Sequence, residues 1–395
     1  MQFAEIQSLY DQYILGVYGR FPVAFVRGDG VRLYDSGGKE YLDFASGIGV
    51  NSVGHAHPQW VDAVAAQART LAHVSNLYYT EPGGLLAQRL CEISGLCGVF
   101  FANSGAEANE GMIKCARKYS ADKYGPGRHV IVSLRDSFHG RTVTTLSATG
   151  QDKFHQHFHP FTEGFRHVAR GDFAALSGQP DDVCAVLLEA VQGEGGVWPL
   201  EKDYVQSVQS LCKERDWLLL FDDVQTGVGR TGAWFGFQAL DAQPDIISFA
   251  KGLAGGLPLG GFLTGEKTRH VLGAGDHGTT FGGNPICCAA ALSTLDILAP
   301  LLPDIRARGK FLRDSLAAMN LPAVKTIRGE GLMIGIAVNA DPRAMVAKLL
   351  ENGLVCLTAG KDVVRLLPPL LISEEDCAKG LDIIRATLSD WPAEA

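Results

Sequence analysis

Short, unbroken apolar runs alternate with amphipathic stretches through the middle of the chain. Leu218-Leu219-Leu220-Phe221 offers no polar position to water, the pattern of a strand buried on both faces, and Ile246-Ile247-Ser248-Phe249-Ala250 nearly repeats it. Val99-Phe100-Phe101-Ala102, Val130-Ile131-Val132 and Ala185-Val186-Leu187-Leu188 read the same way. Between them Ala108, Met112, Cys115, Ala116 and Tyr119 recur at helical spacing, as Val61, Val64, Ala68 and Leu71 do earlier. Strand and helix alternating from about Val99 to Thr264 imply an α/β fold with a mostly parallel central sheet.

The flanks differ. Residues Phe25 to Phe44 alternate and turn at Asp35-Ser36-Gly37-Gly38, which predicts a small antiparallel meander after an amphipathic helix through Ile6, Leu9, Tyr10 and Tyr13. From about Asn284 the pattern becomes helices and short strands. Asp341-Pro342 opens a helix that Gly353 closes, and Ser373 to Leu388 places Cys377, Leu381, Ile384 and Leu388 on one face. The expected division is an amino-terminal segment 1–50, a large domain 51–283 and a smaller α+β domain 284–395.

Composition narrows the classes. The 395 residues are 20% charged and 46% hydrophobic, ordinary for a soluble chain, and the net charge of -8 is made of scattered signs. No basic face is evident for nucleic acid or an anionic membrane. Met1-Gln2-Phe3-Ala4-Glu5 has neither a basic nor an apolar leader region, and long uncharged stretches such as Gly252 to Gly265 are too rich in Gly and Pro to span a bilayer. Nine irregularly spaced cysteines suit a reducing compartment, the cytoplasm, better than a disulfide framework, and adjacent Cys287-Cys288 suit helix packing.

Two of the buried strands each deliver one ionisable residue at the carboxyl end, Asp222 and Lys251. Taken alone, either is most often a solvated loop residue. A carboxylate at the edge of a core needs a cation or donors beside it, and Arg230, Lys251 or a ligand with a protonated ring nitrogen would serve. An ammonium against apolar walls is driven toward the neutral amine, the form that makes Schiff bases. A pyridinium facing the aspartate and an aldehyde on the lysine together suggest pyridoxal 5'-phosphate. Upstream, Ser104 and Glu107 have capping-box spacing, which leaves the first helical amides, Gly105 and Ala106, free at the positive end of the dipole, a place for phosphate.

Other patterns carry less. His55 and His57, and likewise His155, His157 and His159, lack the further ligands that would complete a metal set. Gly227-Val228-Gly229-Arg230-Thr231-Gly232 follows a strand like a dinucleotide fingerprint, but Ala233-Trp234-Phe235-Gly236-Phe237 is a poor helix start. A nicotinamide-dependent oxidoreductase is therefore the alternative from another class, and a non-catalytic binding protein a third.

Asp222-Asp223-Val224-Gln225-Thr226-Gly227-Val228-Gly229-Arg230-Thr231-Gly232 with Phe249-Ala250-Lys251-Gly252 resembles the signature of the class III pyridoxal-phosphate aminotransferases, and within them the acetylornithine aminotransferases. The likeness runs from Tyr18-Gly19-Arg20-Phe21-Pro22-Val23 to Arg365-Leu366-Leu367-Pro368-Pro369. It implies the fold type I architecture and a homodimer with shared active sites. It also implies Lys251 as the cofactor lysine and proton shuttle, Asp222 on the pyridine nitrogen, Gln225 on the ring hydroxyl, Phe138 stacked on the ring and Arg141 on a substrate carboxylate. Glu194 would pair with Arg365 and release it for a dicarboxylate. Thr280 would bind the phosphate in the neighbouring subunit, with Thr279 near substrate. The chain departs from the family at Ala190, where Pro is usual, and at Asp223, where Glu is usual. The reaction implied takes the terminal amino group of N2-acetylornithine to 2-oxoglutarate, giving N-acetylglutamate 5-semialdehyde and glutamate, a step of arginine biosynthesis. Succinylornithine, succinyldiaminopimelate, ornithine and 4-aminobutyrate are the competing donors.

Overall fold

Seven short strands, most of them apolar runs too short for a helix of useful length, pair into one sheet. In spatial order they are Gly98–Ala102, Gly260–Thr264, Ile246–Phe249, Leu218–Asp222, Val183–Leu188, Val130–Leu134 and Phe165–Val168. Six run the same way, and Gly260–Thr264 is antiparallel to both its neighbours. The computed structural model describes residues 1–392.

Alternation inside the apolar runs decides what faces what. Leu219, Phe221, Ile247, Phe249, Val186 and Leu188 join one core with Leu86, Leu90, Val205 and Val208. Leu218, Leu220, Ile246, Ala185 and Leu187 join the opposite core with Met112, Ile113 and Cys115 of the helix Gly105–Tyr124. The strands are buried on both faces because helices cover both, so a strand side chain's parity selects its layer. By that parity Asp222 and Glu189 lie on the side of the helix Gly105–Tyr124, and Asp223 on the other.

The flanking elements build a second core. The meander Phe25–Asp29, Arg32–Asp35 and Glu40–Asp43 is antiparallel as expected, and Leu42 then pairs in parallel with Leu354. A four-stranded antiparallel sheet of Val324–Glu330, Met333–Val338, Val363–Leu366 and Leu357–Ala359 packs beside it. Phe44, Leu312, Ile334, Ile336, Val364 and Ile384 share that core. Asp341 and Ser373 cap the helices Pro342–Glu351 and Glu374–Leu388 as the sequence predicts.

One apolar stretch escapes the sequence reading. The run Pro285–Ala318 has a window of mean hydropathy 1.8 and is long enough to cross a bilayer, yet half of that window is buried in protein. Its helices, Pro285–Leu298 and Leu302–Ala318, join the two cores: Cys288, Ala291 and Leu295 pack in the first, Ile305 and Leu312 in the second. Contact with both cores explains an apolar composition on more than one face.

Candidate active site

The carboxyl edge of the large sheet is where ionisable groups collect. Asp222, 5% exposed, ends its strand and meets the helix Gly105–Tyr124, where Asn109 Nδ2 donates to its Oδ2 at 2.7 Å. His139 Nδ1 lies 2.8 Å from the same oxygen, and the Val224 amide donates to Oδ1 at 3.0 Å. Two side chains and one amide thus hold the carboxylate in place at the wall of a cavity of about 410 Å³. Arg230, weighed as a partner for Asp222, goes elsewhere: it is 2% exposed and donates to the carbonyls of Leu332 (3.1 Å) and Pro368 (2.5 Å). Burial pushes its guanidinium down to about 9.

Lys251 lines the same cavity. Its strand partner positions would send an odd-numbered residue to the opposite layer, but Ala250 (φ -165°, ψ -131°) breaks the alternation and Lys251 itself takes φ 34°. Positive φ is uncommon for a residue with a Cβ and is held here by surrounding structure. Ser52 Oγ donates to the Gly252 carbonyl at 2.7 Å, fastening the next residue. Desolvation holds the Lys251 amine below the ordinary lysine value, against the opposing pull of Glu194 and Asp222.

At the start of the helix Gly105–Tyr124, Ser104 Oγ accepts from the Glu107 amide at 3.3 Å. Glu107 Oε2 in turn accepts from the Asn103 amide at 2.7 Å and from Ser104 Oγ at 3.4 Å. The amides of Gly105 and Ala106 have no partner four residues back, and both residues line the cavity. Phe138 supplies apolar wall, and the exposed Arg141 stands at the cavity with its guanidinium over the rings of Phe154 (4.1 Å) and Phe138 (5.6 Å).

Glu194 and Arg365 do meet: Arg365 Nη1 donates to Glu194 Oε1 at 2.7 Å. Burial would raise the Glu194 carboxyl, but Arg365 and then Lys251 hold it below the usual range. Gln225 lines the cavity, yet its amide also closes this pair, accepting from Arg365 Nη1 at 2.8 Å and donating to Glu194 Oε1 at 3.3 Å.

Some of the cavity's polar lining is not singled out by the sequence. Asn109, His139 and Glu189 converge on Asp222 or Phe138 from distant segments, and Glu189 alone left a signal, an acid ending an apolar strand as Asp222 does. Thr279 and Thr280 do not line this cavity. Thr280 is exposed, and Thr279 Oγ1 accepts from Asn103 Nδ2 at 3.2 Å. Asp223 faces away, accepting from Thr226 Oγ1 and from the Gly236 amide at 2.8 Å. The histidines do not converge either. His55 pairs with Asp43, His155 with the Leu146 carbonyl, and among the described residues no group of three or more His, Cys, Asp or Glu could hold a metal ion. The glycine run after Asp222 is a series of turns leading to the short helix Gly236–Ala239, without the long helix a dinucleotide needs.

The site therefore combines a fixed carboxylate, a desolvated amine, free helix amides and an aromatic wall around one cavity. These are groups that fit a flat, phosphorylated, cationic heterocycle bearing a carbonyl, as pyridoxal 5'-phosphate is. Comparison with known proteins agrees. Residues 16–388 match the model of "Aminotransferase class-III". The acetylornithine aminotransferase of Haemophilus ducreyi is 51% identical over 98% of this chain and 99% of its own. That of Methanocaldococcus jannaschii is 45% identical over 93% and 94%. Among solved structures, N-acetylornithine aminotransferase from Stenotrophomonas maltophilia superposes with a TM-score of 0.84 at 36% identity, covering 97% of this chain and 98% of that one. Ornithine aminotransferase from Toxoplasma gondii superposes at 0.94 and 31% identity, covering 98% and 95%. This chain belongs to the class III aminotransferases, and the nicotinamide and non-catalytic alternatives fall away.

Proposed function

We propose that the chain transfers the terminal amino group of N2-acetylornithine to 2-oxoglutarate, as the names of the relatives above suggest. The observation that carries the aminotransfer is that Asp222 and Lys251 line one cavity. Pyridoxal 5'-phosphate, when bound, supplies the carbonyl that takes up the amino group and the ring that stores electrons from the carbon losing its proton. Lys251 Nζ, biased toward the neutral amine, takes and returns that proton. Asp222, pinned by Asn109 and His139, would face the ring nitrogen; such a charge-assisted hydrogen bond is worth about 1.5–3 kcal/mol. The amides of Gly105 and Ala106 would receive the phosphate, Phe138 would cover the ring and Gln225 would meet its hydroxyl. Arg141 takes a substrate carboxylate. Arg365, masked by Glu194 for the amine, turns to the far carboxylate of the dicarboxylate.

A homodimer completes the reading, with Thr280 on the neighbouring subunit's phosphate and Thr279 near its substrate. Exposed Leu77, Tyr78, Tyr79 and Phe281 support it, since Asn76 Nδ2 binds the carbonyls of Thr279 (3.3 Å) and Gly282 (2.8 Å) and so sets this apolar surface beside Thr280. The nine cysteines, none in a disulfide, support a cytoplasmic enzyme, and the scattered charges behind a net -8 support a reading without membrane or nucleic-acid partners. The amino-terminal segment, large domain and small domain divide at 50/51 and 283/284. The test is a panel of N2-acetylornithine, succinylornithine, succinyldiaminopimelate, ornithine and 4-aminobutyrate with 2-oxoglutarate. Highest kcat/KM with N2-acetylornithine is expected; brisk turnover of another donor with failure here overturns the assignment. Borohydride should fix the chromophore on the peptide containing Lys251.

A further inference from the structure

Leu188 pairs with Phe221 in parallel register, so the next residues, Glu189 and Asp222, end adjacent strands side by side and share one layer. Two buried acids at neighbouring strand ends are uncommon, and the role of the first is not explained by aminotransfer. Glu189 is 6% exposed and lines the cavity with Phe138, Asp222 and Lys251. Its Oε2 accepts from the Phe138 amide at 3.2 Å, tying the segment that carries the aromatic wall to the rigid sheet.

We propose that Glu189 is a positioning residue, which fixes Phe138 against the cofactor from the strand beside Asp222. The carboxyl needs only an acceptor oxygen for this. Burial, and then the Asp222 charge beside it, push its proton affinity well up, opposed by the Phe138 amide and Lys251, while Glu194 adds to the rise. A group held toward its neutral form can accept from the Phe138 amide without setting a second negative charge beside Asp222. A side chain ending in an amide would therefore do the same work, and an isosteric apolar one would not.

The inference rests on the cavity being the cofactor site, which cofactor binding by the unaltered chain tests separately. Glu189→Gln and Glu189→Met are compared by equilibrium titration with pyridoxal 5'-phosphate, by visible circular dichroism of the bound chromophore and by thermal unfolding of the cofactor-free protein. Glu189→Gln should keep the dissociation constant within about threefold and the dichroic band intact, whereas Glu189→Met should weaken binding about tenfold and diminish the band. Adding Phe138→Ala should erase the difference between the two. If Glu189→Gln fails as badly as Glu189→Met, the group works as an anion and the proposal is wrong. It is equally wrong if Glu189→Met matches the unaltered chain, if the difference survives Phe138→Ala, or if losses merely follow a lowered Tm of the cofactor-free protein.

Discussion

Arg365 and Glu194, 171 residues apart, form an ion pair of 2.7 Å in which the guanidinium is 2% exposed and Gln225 is the third member. A buried cation with so few partners is poised to exchange one carboxylate for another, because any replacement must be at least as well placed. Removing one member of such a buried charged pair costs about 2–5 kcal/mol. Arg365→Ala should therefore lower kcat/KM for 2-oxoglutarate by about 30-fold or more, with the amine half-reaction, followed in single turnover, changing less than about tenfold. Glu194→Ala should do the reverse, slowing the amine half-reaction and tightening dicarboxylate binding. Equal losses in both half-reactions for both variants would show that the pair is structural and gates nothing.

A Cβ built on Gly105 would lie 2.7 Å from Val224 Cγ1. Val224 also donates its amide to Asp222, so crowding here strains the free helix amides and the carboxylate together. Gly105→Ala should weaken pyridoxal 5'-phosphate by about tenfold or more, the value of one charge-assisted hydrogen bond. Pyridoxal, which has no phosphate, serves as the control. The affinity ratio of the two should shrink in the variant; an unchanged ratio would place the phosphate elsewhere.

Much of this arrangement is legible in the sequence because strand ends are local. The apolar runs before Asp222 and Lys251 announce both the sheet and the edge at which its chemistry gathers, and the Ser104 cap announces the helix start. What surrounds Asp222 is not local: Asn109 lies 113 residues away and His139 83, and only the sheet order brings them together. Gln225 shows a different limit. Resemblance assigns its amide to the cofactor ring, whereas the structure also gives it to Arg365 and Glu194, contacts set by the neighbouring strand Val363–Leu366. Lys251 is the reverse case, a residue whose direction violates strand parity and follows only from the backbone turn at Ala250.

Asp223, one residue past Asp222, points into the other layer, toward Thr226 and the amides of Gly236 and Phe237. Burial raises its carboxyl to about 6 from an ordinary 3.8. A folded-state value above the unfolded one means that the folded chain binds the proton more tightly, so this group's stabilisation is complete below about 3.8 and lost as pH rises through about 6. Asp223→Asn keeps an acceptor for Thr226 and Gly236 and carries no charge. Relative to the unaltered chain, it should gain on the order of 2–3 kcal/mol between pH 4 and pH 7.5 in urea unfolding. A difference that stays constant with pH would mean that the carboxyl is not raised.

Thr280 is exposed and absent from its own chain's cavity, while its neighbour Thr279 is anchored to Asn103 at the cavity rim. That pairing of a held residue with an outward one is what a shared site requires, and mixing tests it directly. Thr280→Asp should set a like charge against the phosphate, and Lys251→Ala should remove the shuttle, so each homodimer is inactive. If Thr280 serves the partner, a hybrid of the two has one spoiled site with both defects and one site with neither. Refolding equal amounts together makes half the molecules hybrids with one good site of two, so about a quarter of the unaltered activity should return. Were Thr280 to act within its own chain, every site in every molecule would carry a defect and mixing would restore nothing.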